Sequence, residues 1–253
     1  WIKLDLDEIK YKKAIGEKKQ AYEVLGRESS DVDKERWVTD KSNMLAGIYF
    51  LQALKEIDEH QQIVDYADEM LFYEPENIII LEFLAESYVT IYEYSLARDV
   101  YDKLFGINQD YKYAVEISKI FIEEEQYQKA YTWSEKAVSA TINNEPRGEA
   151  VFQRAEVLFY LAKSCQDSEL SFWDKIVYEL ALEDYEIAYQ FGQYNARIRK
   201  NSLAKDDYYI TTPTDWFLNA SGVDSASPSR YSEKITVSLK DCYSWLNREI
   251  KSK

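Results

Sequence analysis

Residues 84–105 read LAESYVTIYEYSLARDVYDKLF, and two small residues, Ala85 and Ala97, stand there among large ones. The residues around Ala85 predict a helix over 78–91, and those around Ala97 predict a second helix over 94–105. The apolar positions at spacings of three and four are Leu81, Leu84 and Tyr88 on the first helix and Tyr101 and Leu104 on the second. Because an alanine on each helix lets the two backbones approach closely, this stretch predicts an antiparallel helical hairpin.

The hairpin pattern recurs along the chain. Ala130, Ser134 and Ala137 stand 33 residues after the corresponding positions of the second helix above. The matching positions of the other copies are Ile63, Ala67 and Met70 upstream and Ala181, Tyr185 and Ala188 downstream. First-helix partners are Ile117, Ser118 and Phe121 in the third copy and Arg154, Ala155 and Leu158 in the fourth. A lone hairpin cannot bury its second face, so recurring copies predict a stacked array.

This register resembles the tetratricopeptide (TPR) repeat. The period is about 34 residues, small and aromatic residues alternate at fixed places, and Pro75-Glu76-Asn77 ends one copy. The resemblance covers about 42–192 and is weakest in the first copy, where Leu51 replaces the usual small residue. It implies an all-α fold, an α-solenoid of TPR-like helical hairpins with an irregular, partly β C-terminal tail.

The predicted organisation has four parts. They are an N-terminal helix and linker over 1–41, an array of about four hairpins over 42–192, a capping helix over 193–205 and an irregular segment over 206–253 that packs on the array. Within the first part, RESSDVDKER (27–36) has the composition of a linker. Within the array, SCQDSELSFWDK (164–175) is longer than a tight turn and predicts a loop with packed aromatics, or a recognition loop.

The last segment combines irregular chain with a weak strand signal. Ile235, Val237 and Leu239 alternate, which predicts a strand whose partner is the tail itself, residues 208–211 or another molecule. Residues 241–250 either continue that strand or form a closing helix. Four aromatic residues are too apolar to remain in water and are expected to pack along the array: Trp216, Phe217, Tyr243 and Trp245.

Charge and composition narrow the function classes. The formal net charge is -15, so the chain repels phosphate backbones and nucleic-acid binding is not expected. The basic run Arg197, Arg199 and Lys200 is interpreted as a solvated helix end, with a small anion site as the alternative. No run approaches the roughly 20 apolar residues of a membrane span. The first residue is Trp1, which slightly favours an exported protein, periplasmic or on the cell surface, over a cytoplasmic one.

The two cysteines, Cys165 and Cys242, lack a metal-binding spacing. The sequence favours two buried free thiols, and a disulfide between them is the alternative.

No catalytic constellation is present. The single histidine, His60, lies in a predicted surface turn, and no P-loop, GxSxG or HExxH motif appears. Glu82 and Glu86 at i,i+4 are interpreted as surface carboxylates. We therefore expect no enzyme activity, no cofactor and no metal site.

A binding surface is expected on the concave side, which the first helices of such arrays line. By register, the partner-binding residues are Glu82, Phe83, Glu86, Lys112, Glu116, Lys119, Phe152, Gln153, Glu156, Phe159 and Tyr160. Because glutamates occupy the places where carboxylate-gripping TPR proteins carry Lys and Asn, a partner with basic and apolar side chains is favoured.

The sequence thus predicts a non-enzymatic scaffold that binds a protein or peptide. Two alternatives remain open: the tail itself covers the concave aromatics, or the chain is a structural subunit that forms homo-oligomers through its aromatic C-terminal segment.

Overall fold

The structure is a computed structural model. It describes residues 31–141, 144–205, 207–219, 234–235, 239, 241–246, 248 and 250–251. Residues 31–39 form helix α1. The α-helices that follow are α2 (Met44–Glu56), α3 (His60–Tyr73), α4 (Ile78–Thr90), α5 (Tyr94–Asn108), α6 (Tyr111–Glu123), α7 (Tyr127–Ala140), α8 (Asn144–Cys165), α9 (Phe172–Gln190), α10 (Tyr194–Ala204) and α11 (Pro213–Asn219). In the described part of the chain, 3₁₀ turns cover Asp207–Tyr209 and Asp241–Tyr243, and the strands β1 (Lys234–Ile235) and β2 (Ile250–Lys251) pair antiparallel.

The chain divides into two compact units, which we call the N-terminal unit (Trp1–Ile107) and the C-terminal unit (Asn108–Lys253). Within the N-terminal unit, α3 packs on α2 and α4. Within the C-terminal unit, α7 packs on α6 and α8, and the most extensive helix packing is between α8 and α9. Among the described residues, no helix has both the length and the apolar character needed to cross a membrane.

The small residues that defined the sequence pattern are buried. Each of the twelve second-helix positions is at most 5% exposed; they are Ile63, Ala67, Met70, Ala97, Tyr101, Leu104, Ala130, Ser134, Ala137, Ala181, Tyr185 and Ala188. The facing positions on the first helices are also buried, since Ala85 and Ser118 are fully inaccessible to solvent. The Ser118 hydroxyl donates a hydrogen bond to the carbonyl of Ala130 at 2.8 Å. The predicted hairpin register is confirmed.

Four helices end in the same turn, which the sequence did not predict. The residue after the C-cap has a positive φ in each: Asp58, Tyr92, Glu125 and Gly192. The next residue then donates its N–H five residues back, as Glu93 does to the Tyr88 carbonyl at 2.8 Å and Gln193 to the Ala188 carbonyl at 3.0 Å. This is the Schellman cap, and it turns the chain into the following helix within three residues. The α9–α10 connection therefore repeats the turn found inside the α2–α3, α4–α5 and α6–α7 hairpins.

The predicted N-terminal linker is wrong over 31–36, because those residues are helical. Asp33 accepts a hydrogen bond from Arg36 at 3.2 Å. Lys34 lies over the rings of Phe50 and Tyr66, and Trp37 is fully buried, so α1 packs on the N-terminal unit. The amphipathic helix expected over 4–25 lies outside the described residues. His60 is likewise not a turn residue; it begins α3, and its Nδ1 lies 3.2 Å from the Ser87 hydroxyl.

The C-terminal segment holds more order than expected. Thr212 and Asp215 form reciprocal hydrogen bonds, with the Asp215 N–H donating to Thr212 Oγ1 at 3.1 Å and Thr212 N–H to Asp215 Oδ2 at 2.8 Å. With Pro213 at the first helical position, this capping box starts α11 inside a region expected to be irregular. The weak strand is real at Lys234–Ile235 and pairs with the tail itself, at Ile250–Lys251. Residues 241–243 form a 3₁₀ turn and no closing α-helix.

The loop before α9 is shorter than expected. Phe172 and Trp173 belong to α9, because Ser171 caps it: its hydroxyl accepts the Asp174 N–H at 3.2 Å and Asp174 accepts the Ser171 N–H at 2.7 Å. Phe172 is buried and packs edge-on against Trp216 of α11, with ring centroids 5.2 Å apart. The aromatics do pack on the array as expected, but from a helix.

Candidate protein-binding surfaces and the docked tail

The outer side of α4 joins acidic and apolar groups in the N-terminal unit. Glu86 on α4 forms an ion pair with Lys55 on α2. The Lys55 ammonium also lies 5.6 Å from the centroid of the Phe83 ring, which is itself 9% exposed. Glu82 lies one turn before Glu86 and is half-buried. Of the three expected α4 residues, Glu82 and Glu86 remain accessible, and Phe83 is largely buried.

Three large apolar side chains on the same two helices are also exposed. Leu45 and Tyr49 on α2 are 59% and 54% exposed, and Ile79 on α4 is 48% exposed. We call Leu45, Tyr49, Ile79, Glu82 and Glu86 the N-terminal face. Sequence reasoning missed Leu45, Tyr49 and Lys55. Their signal was the large apolar pair at i,i+4 on the outer side of α2, in the copy where the repeat register was weakest.

The three expected residues on α6 are accessible in the C-terminal unit. Lys112 is exposed, and Lys119 forms an ion pair with Glu116 at 2.6 Å on the same helix. Because this pair is an i,i+3 contact between half-exposed side chains, it contributes little to stability. Val115 between them is buried. This side of α6 is therefore polar, and its charges are partly matched.

Two expected residues on α8 are not available to a partner. Gln153 is 4% exposed and donates to the Ser118 hydroxyl at 3.2 Å, which ties α8 to α6. Glu156 is 7% exposed; it accepts from the Tyr185 hydroxyl at 2.7 Å and from Arg199 at 3.0 Å. The prediction that these side chains point outward is wrong, because Gln153 faces α6 and Glu156 is covered by α9 and α10.

The remaining α8 aromatics are half-buried among rings of α9. Phe152 lies 5.7 Å from Tyr185, and Phe159 lies 5.9 Å from Tyr178. Tyr160 contacts Phe159 at 5.4 Å. Burial raises the pKa of the Tyr185 phenol above its ordinary value, and the Glu156 charge adds to this effect. These rings form a packed layer between helices and no open aromatic groove.

The described part of the tail docks on α7, α8 and α9 of its own chain. Leu239, Tyr243 and Leu246 are at most 5% exposed, and Trp245 packs edge-on against Tyr131 of α7 at 5.7 Å. Trp216 is 6% exposed. Trp216, Tyr243 and Trp245 each contact a helix of the array, and the side chain of Phe217 lies outside the described residues.

Cys165 and Cys242 form a disulfide, so the prediction of two free thiols is wrong. Cys165 ends α8 and Cys242 lies in the tail, 77 residues later. Docking of Leu239, Tyr243 and Leu246 brings the two thiols together, and sequence spacing carries no sign of that contact. Neither cysteine is buried; Cys242 is exposed and Cys165 is half-buried.

Two buried carboxylates of α9 anchor the tail. Asp174 is 4% exposed and accepts a hydrogen bond from the Tyr243 hydroxyl. Asp184 is fully buried and binds Arg248 of the tail at 2.6 and 3.0 Å and Arg154 of α8 at 2.8 and 2.9 Å. Burial raises the pKa of the Tyr243 phenol, and the Asp174 charge raises it further.

A cavity of about 390 Å³ lies beside the disulfide. Both cysteines line it together with Tyr127, Leu161 and Trp245. The turn before α7 and the start of α7 form its other wall.

In the part of the chain that the structure describes, no group of three or more His, Cys, Asp or Glu residues is arranged to hold a metal ion.

Comparison with solved structures gives similar folds at low sequence identity. MamA RS-1, as an ArsTM double mutant, matches with a TM-score of 0.53 at 16% identity, over 72% of this chain and 95% of that one. MamA AMB-1 matches with a TM-score of 0.51 at 15% identity, over 69% and 95% of the chains. TTC0263, a TPR protein in Thermus thermophilus, matches with a TM-score of 0.49 at 12% identity, over 74% and 100%. No protein-family model and no curated protein sequence matches.

The repeated hairpins and their buried small residues agree with the two MamA matches, whose TM-scores are above 0.5. The chain has a TPR-like fold. The resemblance inferred from the register of small residues is therefore confirmed.

The basic run at the end of this TPR-like array is engaged within the chain. Arg199 binds Glu156, Lys200 forms an ion pair with Glu186, and the Arg197 guanidinium lies 5.7 Å from the Tyr189 ring. Each cation therefore serves the contact between α10 and the preceding helices, which agrees with the interpretation as a helix end.

Proposed function

We propose that this TPR-like protein is a non-enzymatic scaffold that binds a protein segment bearing basic and apolar side chains. The observation that carries this proposal is the N-terminal face, which combines three half-exposed apolar side chains with Glu82 and Glu86. Apolar side chains contribute most of the binding free energy at such surfaces, and surrounding charges select the partner and accelerate association. The formal net charge of -15 attracts a basic partner at long range and disfavours nucleic acid.

The contact between Lys55 and Glu86 supports the choice of partner. Because this ion pair is nearly half exposed on both sides, it contributes little to stability, and a partner cation can replace Lys55 at low cost. Phe83 beneath it offers a ring face for the same cation. A lysine or arginine followed by an apolar residue therefore fits this surface.

Selection from a phage-displayed random peptide library on the full chain tests the proposal. Enriched peptides should carry Lys or Arg beside apolar residues, and a synthetic copy should bind about tenfold more weakly to the Glu82→Gln/Glu86→Gln variant, a change of about 1.4 kcal/mol. Asp99→Asn/Asp102→Asn is the matched control, because it removes the same charge from exposed positions of α5. Equal binding to all three proteins, or no enrichment of basic residues, would overturn the proposal.

The disulfide supports an exported compartment for the scaffold. Disulfides form and persist in oxidising compartments and are rare in the cytosol, so the bond between Cys165 and Cys242 favours the periplasm or the cell surface. Fractionation of cells producing the full-length protein, with thiol labelling of each fraction, tests this: the oxidised form should lie in the periplasmic or surface fraction. A fully reduced cytoplasmic pool would contradict it.

A further inference from the structure

A disulfide and two buried polar contacts join the described tail residues between 239 and 248 to the array, and these contacts differ in accessibility. The polar contacts, from Tyr243 to Asp174 and from Arg248 to Asp184, involve side chains at most 16% exposed. The disulfide, in contrast, borders the 390 Å³ cavity, with Cys242 exposed. A small thiol can therefore reach the covalent contact, while these two polar contacts are largely shielded from water.

Both carboxylates keep a second partner when the tail is removed. Asp174 still accepts the Ser171 N–H at 2.7 Å within the capping box of α9. Asp184 still binds Arg154 through two hydrogen bonds, of 2.8 and 2.9 Å. Burying an unpaired charge is what makes the loss of such contacts severe, and neither aspartate is left unpaired. The array therefore tolerates departure of the tail.

We propose that Cys165–Cys242 is a thiol-exchange site, and that its reduction by a low-molecular-weight thiol releases the tail residues 239–248 from α7–α9. The thiolate attacks Sγ of Cys242, which belongs to the more exposed residue, and the electron pair of the S–S bond leaves with Cys165 as a thiolate. A second thiolate attacks the thiol-derived sulfur of the mixed disulfide and releases Cys242 as a thiolate. One cystine is reduced to two cysteines, and two thiols are oxidised to one disulfide.

Release uncovers a surface that the closed form hides. Tyr131 loses its contact with Trp245, and the apolar cluster that includes Leu161 and Ala162 loses Leu239, Tyr243 and Leu246. After reduction, the polypeptide backbone is the remaining covalent connection between the tail and the array. The disulfide that joined residues 77 positions apart is broken. The proposal is independent of which partner the N-terminal face binds.

The test uses the full chain treated with reduced glutathione under native conditions. Alkylation and intact mass should show both cysteines reduced, with a glutathione adduct on Cys242 at short times. Amide hydrogen exchange should then rise at least tenfold in peptides covering 241–246, while peptides within α8 and α9 keep their protection. The Cys165→Ser/Cys242→Ser variant should show the open pattern without any thiol.

Three results would overturn the proposal. A disulfide that resists glutathione in the folded protein is no exchange site. Full reduction without faster exchange over 241–246 would mean that the polar contacts hold the tail alone. Exchange that rises equally in α8, α9 and the tail would mean that the disulfide maintains the array itself. The double serine variant checks the last two results, because it lacks the disulfide without any added thiol.

Discussion

Asp184 on α9 and Arg248 in the tail meet through two parallel hydrogen bonds, Nη1 to Oδ2 at 2.6 Å and Nη2 to Oδ1 at 3.0 Å. Arg154 on α8 binds the same two oxygens at 2.8 and 2.9 Å. One fully buried carboxylate thus holds two cations from segments far apart in the sequence. Glu135 and Glu183 lie close enough to offset the second positive charge, at 2.5 Å from Arg154 and 3.9 Å from Arg248.

The first prediction concerns this shared carboxylate. Asp184→Ala leaves two largely buried guanidinium groups without their common partner, and we expect a loss of about 3–5 kcal/mol in the free energy of unfolding. Arg248→Ala leaves Asp184 bound to Arg154, so we expect a smaller loss of about 1–2 kcal/mol. Urea denaturation followed by circular dichroism measures both. Equal losses for the two variants would contradict the idea that Arg154 satisfies Asp184 by itself.

The second prediction concerns the close approach of helices at the small residues. Ala97 is fully buried, so Ala97→Leu forces a larger side chain into a filled space and should destabilise the fold by about 1–3 kcal/mol. Ala204→Leu is the matched control, because Ala204 is exposed at the end of α10. It should change stability by about 0.5 kcal/mol or less. A tolerated Ala97→Leu would mean that this position does not set the distance between helices.

The sequence predicted the hairpins because their cause is local and periodic. Ala97 and Ala130 are 33 residues apart and buried for the same reason, so spacing alone reveals them. The prediction that Glu156 points outward from α8 failed because Arg199 and Tyr185 cover this side chain. These two residues come from helices whose placement depends on the greater length of α8 and α9. The prediction of two free thiols failed for a related reason. Contact between Cys165 and Cys242 depends on how the tail docks, and tail docking leaves no periodic pattern in the sequence.

One local signal was overlooked. The capping box Thr212-Pro213-Thr214-Asp215 is a recognised start of a helix, and it begins α11 in a segment whose serines and prolines suggested irregular chain. The Schellman turns had a weaker signal, because Gly192 is the one glycine among the positive-φ residues of the four turns described above. At Asp58, Tyr92 and Glu125 the tertiary packing of the hairpin imposes a backbone conformation that the residue type does not favour.

The third prediction follows from that conformation. Tyr92 has φ of 63°, in the left-handed region that is unfavourable for a bulky residue, and its side chain is 78% exposed. Tyr92→Gly relieves the strain, and we expect the free energy of unfolding to rise by about 0.5–1 kcal/mol despite the greater freedom of glycine in the unfolded chain.

A helical neighbour provides the contrast. Thr90 ends α4 and is also exposed, and Thr90→Gly should lower stability by a few tenths of a kcal/mol, roughly the difference in helix propensity. Thermal and urea unfolding of both variants measure whether each substitution raises or lowers the free energy of unfolding. Destabilisation by Tyr92→Gly of the same size as by Thr90→Gly would show that the positive φ carries no cost.

The fourth prediction is a pH dependence. Burial raises the pKa of the Tyr131 phenol from 10.0 to about 12, and the nearby Arg248 charge offsets only part of this effect. The folded state therefore holds the phenolic proton more tightly than the unfolded state between pH 10 and about 12. Since the unfolded chain binds fewer protons in this window, stability falls as pH rises through it and is fully retained below pH 10. Tyr131→Phe removes this contribution.

Urea denaturation at pH 9 and pH 11 measures the effect. Wild-type protein should lose about 1 kcal/mol more than Tyr131→Phe between the two pH values, because one unit of pKa shift corresponds to about 1.4 kcal/mol. Tyrosines common to both proteins cancel in this difference. Tyr49→Phe is the matched control: its ring is 54% exposed on α2, so its removal should leave the alkaline loss as large as in the wild type. An identical pH dependence for wild type and Tyr131→Phe would mean that the phenol is hydrated when folded, and that Trp245 does not shield it from water.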